Sequence, residues 1–335
     1  MILVVTSSLD VEHTESVVRK LIESLGRDQV KVINVDVLVK ERLIRVHYDD
    51  SRVKTFLGHE IDIEKVTAVW IRKIFWLGIE GESSDEVKTR NDIISVMTAM
   101  MKIWKRQNSR IMWISDPDTI DDASNKTYQL HCAVKAGLDV LPTNIALSAH
   151  RAESLLKRGG VHKIVHKRIS GDNYLSKNGN YYEFPTRLMD QQFIEAHHRT
   201  LPLPFIFQKA LIHKEEYRIF FVKENFFSTR TSVMKTKDAS KAPVDWRLLS
   251  VRQTNKVLKT EKFELPKKLQ QNLLGFMSYL KLSYGAIDMI RDPLTDIFYF
   301  LEVNPVGQWL YHERKYGLPI SDAIAEELIV ASRSA

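Results

Sequence analysis

The chain has 335 residues, of which 44% are hydrophobic, 27% charged and 9% aromatic, which is globular in composition and long enough for two or three compact units. One cysteine, Cys132, excludes an internal disulfide framework and a multi-cysteine zinc site, and the opening MILVVTSS is too short and lacks the basic start of a signal peptide or membrane span, so a cytoplasmic protein is expected. The formal charge of +7 points to an anionic partner. No RRM, KH or zinc-finger pattern appears, so nucleotide phosphates or an acidic peptide are as good candidates as nucleic acid.

In chain order, ILVVT reads as a buried strand and VEHTESVVRKLIESLG as a helix, with Val17, Val18, Leu21, Ile22 and Leu25 on one face and Gly26 as its stop. VKVINVDV and VTAVWIRK read as strands, SDEVKTRNDIISVMTAMMKIWKRQ as a long amphipathic helix whose Met97, Met100, Met101 and Trp104 are packing, and RIMWIS as a closing strand. Alternating strands and helices predict an α/β layer over about the first 115 residues, but no G-x-G-x-x-G follows its first strand. SDPDTIDD reads as a loop, ASNKTYQLHCAVKAG as a helix ending at Gly137 with Cys132 in its core side, and LDVLPTNIALS as extended chain. HKIVHKRIS and YYEFPTRL read as strands around the polar turn SGDNYLSKNGN, followed by a helix over about residues 188 to 199, then a strand in PFIFQKALI.

The last third is rich in strands. EYRIFFVKENFFSTRTSV predicts a hairpin about Lys223 to Asn225, residues 266 to 282 a helix, and SYGAIDMIRDPLTDIFYFLEVN a second hairpin turning at Asp292 and Pro293. Antiparallel register about that turn sets Asp288 opposite Glu302, and Asn304 shares the Glu302 face. Two carboxylates and an amide are hard oxygen ligands suited to Mg²⁺. A solvated sheet face would also alternate in this way, but the flanking Tyr299, Phe300, Leu301 and Val303 predict a largely buried strand, where an unpaired carboxylate is costly.

These residues carry a resemblance. The pattern D-x-I/M…F-L-E-V-N-P resembles the metal-binding end of ATP-grasp carboxylate-amine ligases, and E-V-N-P-x-G-Q-W with AVWIRK resembles the ATP-grasp ribosomal peptide maturases that make graspetides such as microviridins. The likeness runs over nearly the whole chain, through SNKTYQLHCAVKAGLDVLPT, IVHKRIS, EYRIFF and DWRLL. It implies an ATP-grasp fold, α/β and α+β in class, with an N-terminal α/β pre-ATP-grasp domain (1–118), a central subdomain carrying a nucleotide lid and leader-peptide contact (119–204), and a C-terminal subdomain with the metal and catalytic site (205–335). It implies that Asp288, Glu302 and Asn304 hold Mg²⁺ between the ATP phosphates and that Lys126 and Lys167 reach those phosphates. Gln208, the backbone at Ala210 and Leu211, and Glu216 would bind the nucleotide, while Arg218 and Arg247 would neutralise charge on the γ-phosphate and the developing acyl phosphate.

Strand alternation puts Lys163 and Lys167 on one face, so periodicity does not separate them. Arg218 could equally pair with Glu215 or Glu216. The chain has RLLSVRQTN where glutamate-adding ligases have R-x-N and a glycine pair, and SGDNYLSKNGN is an approximate glycine-rich lid. His197 and His198 are adjacent and face about 100° apart on a helix, which rules out a convergent zinc pair. His312 reads as a surface histidine, with a place at the substrate site as the alternative, and Gln308 and Trp309 are expected to face a peptide.

The activity implied is activation of Asp or Glu side chains in a ribosomal precursor peptide, comprising leader and core, and their closure onto Ser or Thr hydroxyls or a Lys amine. Neither nucleic acid nor membrane is an expected partner, and oligomeric state is open, with a homodimer the prior. Ligation of free amino acids to a protein or small molecule is the alternative within the fold. A non-catalytic ATP-binding regulator is the alternative outside it.

Overall fold

The computed structural model describes residues 1–49, 53–74, 84–158, 160, 163–169, 174–175, 181–182, 186–189, 193, 204–211, 215–233 and 258–333. The first strand, β1 (Ile2–Thr6), is buried at every position. Ile2 and Val4 enter one core and Leu3 and Val5 another, as a central parallel strand covered on both faces requires. Helix α1 (Val11–Leu25) stops at Gly26, whose φ of 88° suits glycine and whose N–H closes on the Ile22 carbonyl at 2.9 Å. After β2 (Val30–Asn34) and α2 (Val35–Lys40) comes a three-stranded antiparallel meander that the sequence reading did not find, β3 (Ile44–Tyr48), β4 (Val53–Leu57) and β5 (His59–Glu60). Then follow β6 (Ala68–Ile71), α3 (Ser84–Gln107) and β7 (Met112–Ile114). The order β2-β1-β6-β7 is parallel throughout, with the Met97, Met100, Met101 and Trp104 stripe of α3 packed on its Leu3, Val5, Val69 and Ile71 side.

The segment expected as a loop, SDPDTIDD, is helical instead, as α4 (Pro117–Ser124). The Asp116 carboxylate accepts from the N–H groups of Asp118 and Thr119 at 3.1 and 3.2 Å, and Pro117 stands in the first turn, where its missing N–H costs nothing. The chain breaks at Asn125, which caps α5 (Lys126–Lys135) by accepting from Thr127 and Tyr128, so the single helix expected here is two.

Next come β8 (Asp139–Val140), β9 (Thr143–Ala146), the unforeseen α6 (Ala149–Arg158), β10 (Ile164–Arg168), β11 (Tyr174–Leu175), β12 (Tyr181–Tyr182), β13 (Arg187–Leu188) and β14 (Phe205–Lys209). An antiparallel sheet of order β13-β10-β14-β9 backs onto α6 through Ile164 and Phe207. Within the expected polar turn, Tyr174 and Leu175 pair with Tyr182 and Tyr181 at the start of the strand expected after it. Leu188 lies in a strand, not at a helix start, and apart from Met189 and Phe193 the rest of the helix expected over 188–199 lies outside the described residues.

Both expected hairpins form. β15 (Glu215–Val222) returns as β16 (Asn225–Val233), and after β17 (Leu258–Lys262) and α7 (Lys267–Tyr279), β18 (Tyr284–Arg291) returns as β19 (Phe298–Asn304). Two further helices close the chain, α8 (Leu310–Tyr316) and α9 (Ile320–Arg333). The six-stranded sheet has the order β17-β16-β15-β18-β19-β8. One face, with Ile219, Phe221, Ile287 and Met289, packs on α5 and α7; the other, with Phe220, Val222, Tyr284 and Ala286, shares a core with α1, α9 and the parallel sheet. No described helix is long and apolar enough to cross a membrane.

Candidate active site

The face of β15 that sends Val222 and Phe220 into the shared core continues two and four residues back as Arg218 and Glu216, because alternate residues of a strand share a face. On β18, Tyr284 and Ala286 lead in the same way to Asp288. Arg218 and Asp288 are register partners, and the Arg218 Nη1 donates to both Asp288 carboxylate oxygens at 2.8 Å. Burial acts to lower the Arg218 pKa, but the Asp288 charge and hydrogen bonds outweigh it and the guanidinium is held above its ordinary value.

Across β18, Asp288 pairs with Glu302, as the turn position predicts, and Ala286 with Asn304. The register then slips: Met289 pairs with Phe300, leaving Leu301 as an extra residue. This bulge allows Phe300 and Val303, three residues apart, both to enter the α5/α7 core, while Glu302 and Asn304 keep the opposite side. The strand is therefore more open than its apolar residues suggest, with the Glu302 side chain 30% exposed and Asn304 exposed. The Glu302 charge is met by Lys126, the first residue of α5, whose Nζ lies 2.7 Å from Oε2.

A residue the sequence reading passed over fixes α5 to this strand. Gln129, buried and one turn after Lys126, donates to the Val303 carbonyl at 2.9 Å and accepts from the Val303 N–H at 2.9 Å, while also donating to the Ala123 carbonyl. β8 pairs only with Tyr299 and Phe300. The Gln129 amide thus stands in for a strand neighbour at the position between Glu302 and Asn304.

A second unforeseen cluster explains the AVWIRK and GQW stretches. Arg72, 1% exposed, sends its Nε to Asp10 Oδ2 at 2.9 Å and its Nη1 to the carbonyls of Val306 and Gly307, each at 3.0 Å, with the Trp309 ring 4.6 Å from its guanidinium carbon. Burial pushes the Asp10 carboxyl up, but the His13 contact and the Arg72 charge together hold it below the usual range. His13 Nε2 accepts from the Trp309 N–H at 3.3 Å, and Trp309 donates its indole N–H to Ser321 at 2.9 Å. Trp309 is 1% exposed, so it does not face a peptide: its ring fills the core shared with Trp70 and Tyr284, and only Gln308 is exposed. Lys73, beside Arg72, is buried, and burial together with the Arg72 and Arg218 charges brings its amine down to about 7, against the pull of Asp10.

His312 is not the surface histidine that its sequence setting suggested. Its ring lies 5.2 Å from the Phe220 ring, its Nδ1 is 3.0 Å from Thr229 Oγ1, and burial with the Arg218 and Lys315 charges lowers its pKa to about 4.

The remaining expected nucleotide contacts belong to the central sheet. Antiparallel pairing puts Lys167 beside Ile206, and Val165 beside Gln208 beside Thr143, on the face away from α6. Lys163 is exposed and precedes β10, whereas Lys167 is half-buried within it. The Gln208 side chain is committed to Thr143 Oγ1 at 2.8 Å, and the Ala210 N–H to the Lys163 carbonyl at 2.8 Å, with Leu211 following. Arg247 and most of the glycine-rich turn lie outside the described residues.

The sites at Asp288, Glu302 and Asn304 suit a hard divalent cation that completes its shell with phosphate and water, since the donors are two carboxylates and an amide. Among the described residues no group of three or more His, Cys, Asp or Glu could hold a metal by itself.

A parallel α/β layer, an antiparallel central sheet and a C-terminal sheet with a charged strand pair make this an ATP-grasp fold. Solved structures similar to it over the whole chain are the macrocyclase MdnC of Microcystis aeruginosa MRC bound with precursor peptide MdnA (TM-score 0.78, 23% identity, 100% of both chains) and a Chryseobacterium gregarium RiPP-associated ATP-grasp ligase in complex with ADP and a leader and core peptide (TM-score 0.75, 21% identity, 98% of this chain and 96% of that one). A third is the ATP-grasp ligase PsnB, complexed with a phosphomimetic variant of a minimal precursor, Mg and ADP (TM-score 0.74, 17% identity, 98% of both chains). No protein-family model and no curated relative matches the chain by sequence.

Proposed function

We propose that the protein is an ATP-dependent ligase that closes rings in a ribosomal precursor peptide by joining Asp or Glu side chains to Ser or Thr hydroxyls as esters, or to a Lys amine as an amide. The observation that carries this reading is the array on one sheet face: Arg218 on Asp288, Lys126 on Glu302, and Asn304 beside them. The full-length likeness to ligases solved with precursor peptides, ADP and Mg supports the choice of substrate and cofactors.

ATP with Mg²⁺ supplies the γ-phosphoryl group that turns a peptide carboxylate into an acyl phosphate, whose phosphate the attacking hydroxyl or amine expels. Asp288, Glu302 and Asn304 hold the metal, and Lys126 and Lys167 reach the phosphates. Gln208, Ala210, Leu211 and Glu216 take the nucleoside end; since the Ala210 N–H is used by Lys163, an adenine contact at Ala210 runs through its carbonyl. Arg218, with Arg247, balances charge on the transferring group, and the bonds from its Nη1 to both Asp288 oxygens fix where that charge stands. No protein nucleophile is required, because positioning and charge stabilisation suffice for phosphoryl transfer. Residues 1–118, 119–204 and 205–335 serve as the pre-ATP-grasp, central and catalytic parts, the central one taking the leader, and a cytoplasmic location follows from the ribosomal substrate.

Mass spectrometry of the cognate precursor incubated with enzyme, ATP and Mg²⁺ tests this. Each ring should remove the mass of one water, and Glu302→Gln should abolish the loss. An unchanged mass with wild-type enzyme and the true precursor would overturn the reading, and ADP release stimulated by a free amino acid would move the assignment to ligation of small substrates.

A further inference from the structure

The turn that leaves the acidic strand is held by the N-terminal layer. Asn304 Oδ1 accepts from the Val306 N–H at 3.1 Å, and the two carbonyls that follow accept from Arg72 at the end of β6. The Gly307 carbonyl also receives the Tyr284 hydroxyl at 2.8 Å. Gly307 has no room for a side chain: a Cβ there would stand 2.4 Å from the Ala286 Cβ and 3.3 Å from Arg218 Nη2. The Gly307 backbone thus forms a wall beside the Arg218 guanidinium, close enough that a methyl group on it would press on Nη2. Arg72 itself touches none of Asp288, Glu302 or Asn304 in these contacts; its partners are Asp10, the two carbonyls and the indole of Trp309.

We propose that Arg72 is a positioning residue for the reaction: by clamping the Val306 and Gly307 carbonyls from the N-terminal layer, it sets the Gly307 wall and so fixes Arg218 on Asp288. This rests on the proposed ligase reading for the role of Arg218, but the placement of Arg218 is a property of the free protein and is measurable without nucleotide or peptide. The guanidinium is suited to the task because its planar fork serves a carboxylate on one edge and two carbonyls on another, which a lysine ammonium does not reproduce. Displacement of a charge-stabilising group by about 1 Å costs on the order of 10²-fold in rate.

The experiment follows Arg218 directly, by its rate of modification with phenylglyoxal, read by peptide mapping and mass spectrometry on the full chain. Two variants disturb the wall by different routes. Arg72→Lys keeps a cation beside Asp10 but loses the fork, and the pair Gly307→Ala with Ala286→Gly relieves the 2.4 Å clash while leaving the new methyl against Arg218. Ile324→Ala, a buried residue of the same core, is the control for loss of stability alone. Faster modification of Arg218 in both wall variants, several-fold above wild type and above the control at matched folded fraction, is the expected result, with a fall in kcat larger than the rise in KM for ATP. If both wall variants remain folded and Arg218 reacts at the wild-type rate, Arg72 only staples the two layers together and the proposal fails. That outcome is distinct from failure of the ligase reading, in which wild-type enzyme leaves the precursor unchanged whatever the Arg218 reactivity.

Discussion

At the scale of single residues, the site is a set of charges that already have protein partners. Arg218 holds Asp288 and Lys126 holds Glu302, so each expected metal carboxylate is matched by a cation that the resemblance sends to the phosphates. Lys126→Met should weaken ATP binding about tenfold, near the 1–2 kcal/mol of one charge-assisted contact, with Mg²⁺ present, as isothermal titration would read. His312 gives a pH test. Its folded pKa, about 4, lies below the 6.5 of a free imidazole, so the unfolded chain binds the extra proton first as pH falls. Stability associated with neutral His312 is therefore complete above pH 6.5 and is lost progressively toward pH 4, by roughly 2–3 kcal/mol. Denaturant titrations at pH 7 and pH 4.5 should show this loss, and His312→Gln should flatten it. An equal slope in the variant would place the proton elsewhere.

At the scale of elements, the acidic hairpin was legible because its turn, its alternation and its Pro305 stop are all local signals. Asp292 and Pro293 mark the turn, and the pairing of Asp288 with Glu302 follows from counting. The bulge at Leu301 was not legible, since it arises from two side chains competing for one core: Phe300 and Val303 cannot both point inward from a regular strand. Gln129 was missed for a similar reason, as a glutamine on a helix gives no sign that its amide will complete a sheet 174 positions away in sequence. Its removal should be costly. Gln129→Met leaves the Val303 N–H and carbonyl without this partner in a buried setting, and a loss of about 2–4 kcal/mol in chemical denaturation is expected. Gln129→Glu, which retains the acceptor but turns a carboxylate toward two carbonyls, should lose at least as much.

At the scale of the molecule, the first and last segments of the chain form one core. Trp70, Val17 and Leu21 from the start pack with Trp309, Ile324 and Leu328 from the end, and Trp309→Ala should cost about 3–5 kcal/mol and unfold the parallel layer and the C-terminal sheet in a single transition by circular dichroism and tryptophan fluorescence. Two separated transitions would show that the layers fold independently. The sequence by itself determined the alternation that makes the parallel layer, the two hairpins, the register that faces Asp288 with Glu302, and the likeness to ATP-grasp enzymes, because each rests on periodicity, turn chemistry or a contiguous motif. Only the tertiary structure decided which cation meets which carboxylate, that Trp309 belongs to the core, and that Arg72 reaches the turn after Asn304. Those facts depend on groups 70 or more residues apart being brought together, and no local pattern encodes that distance.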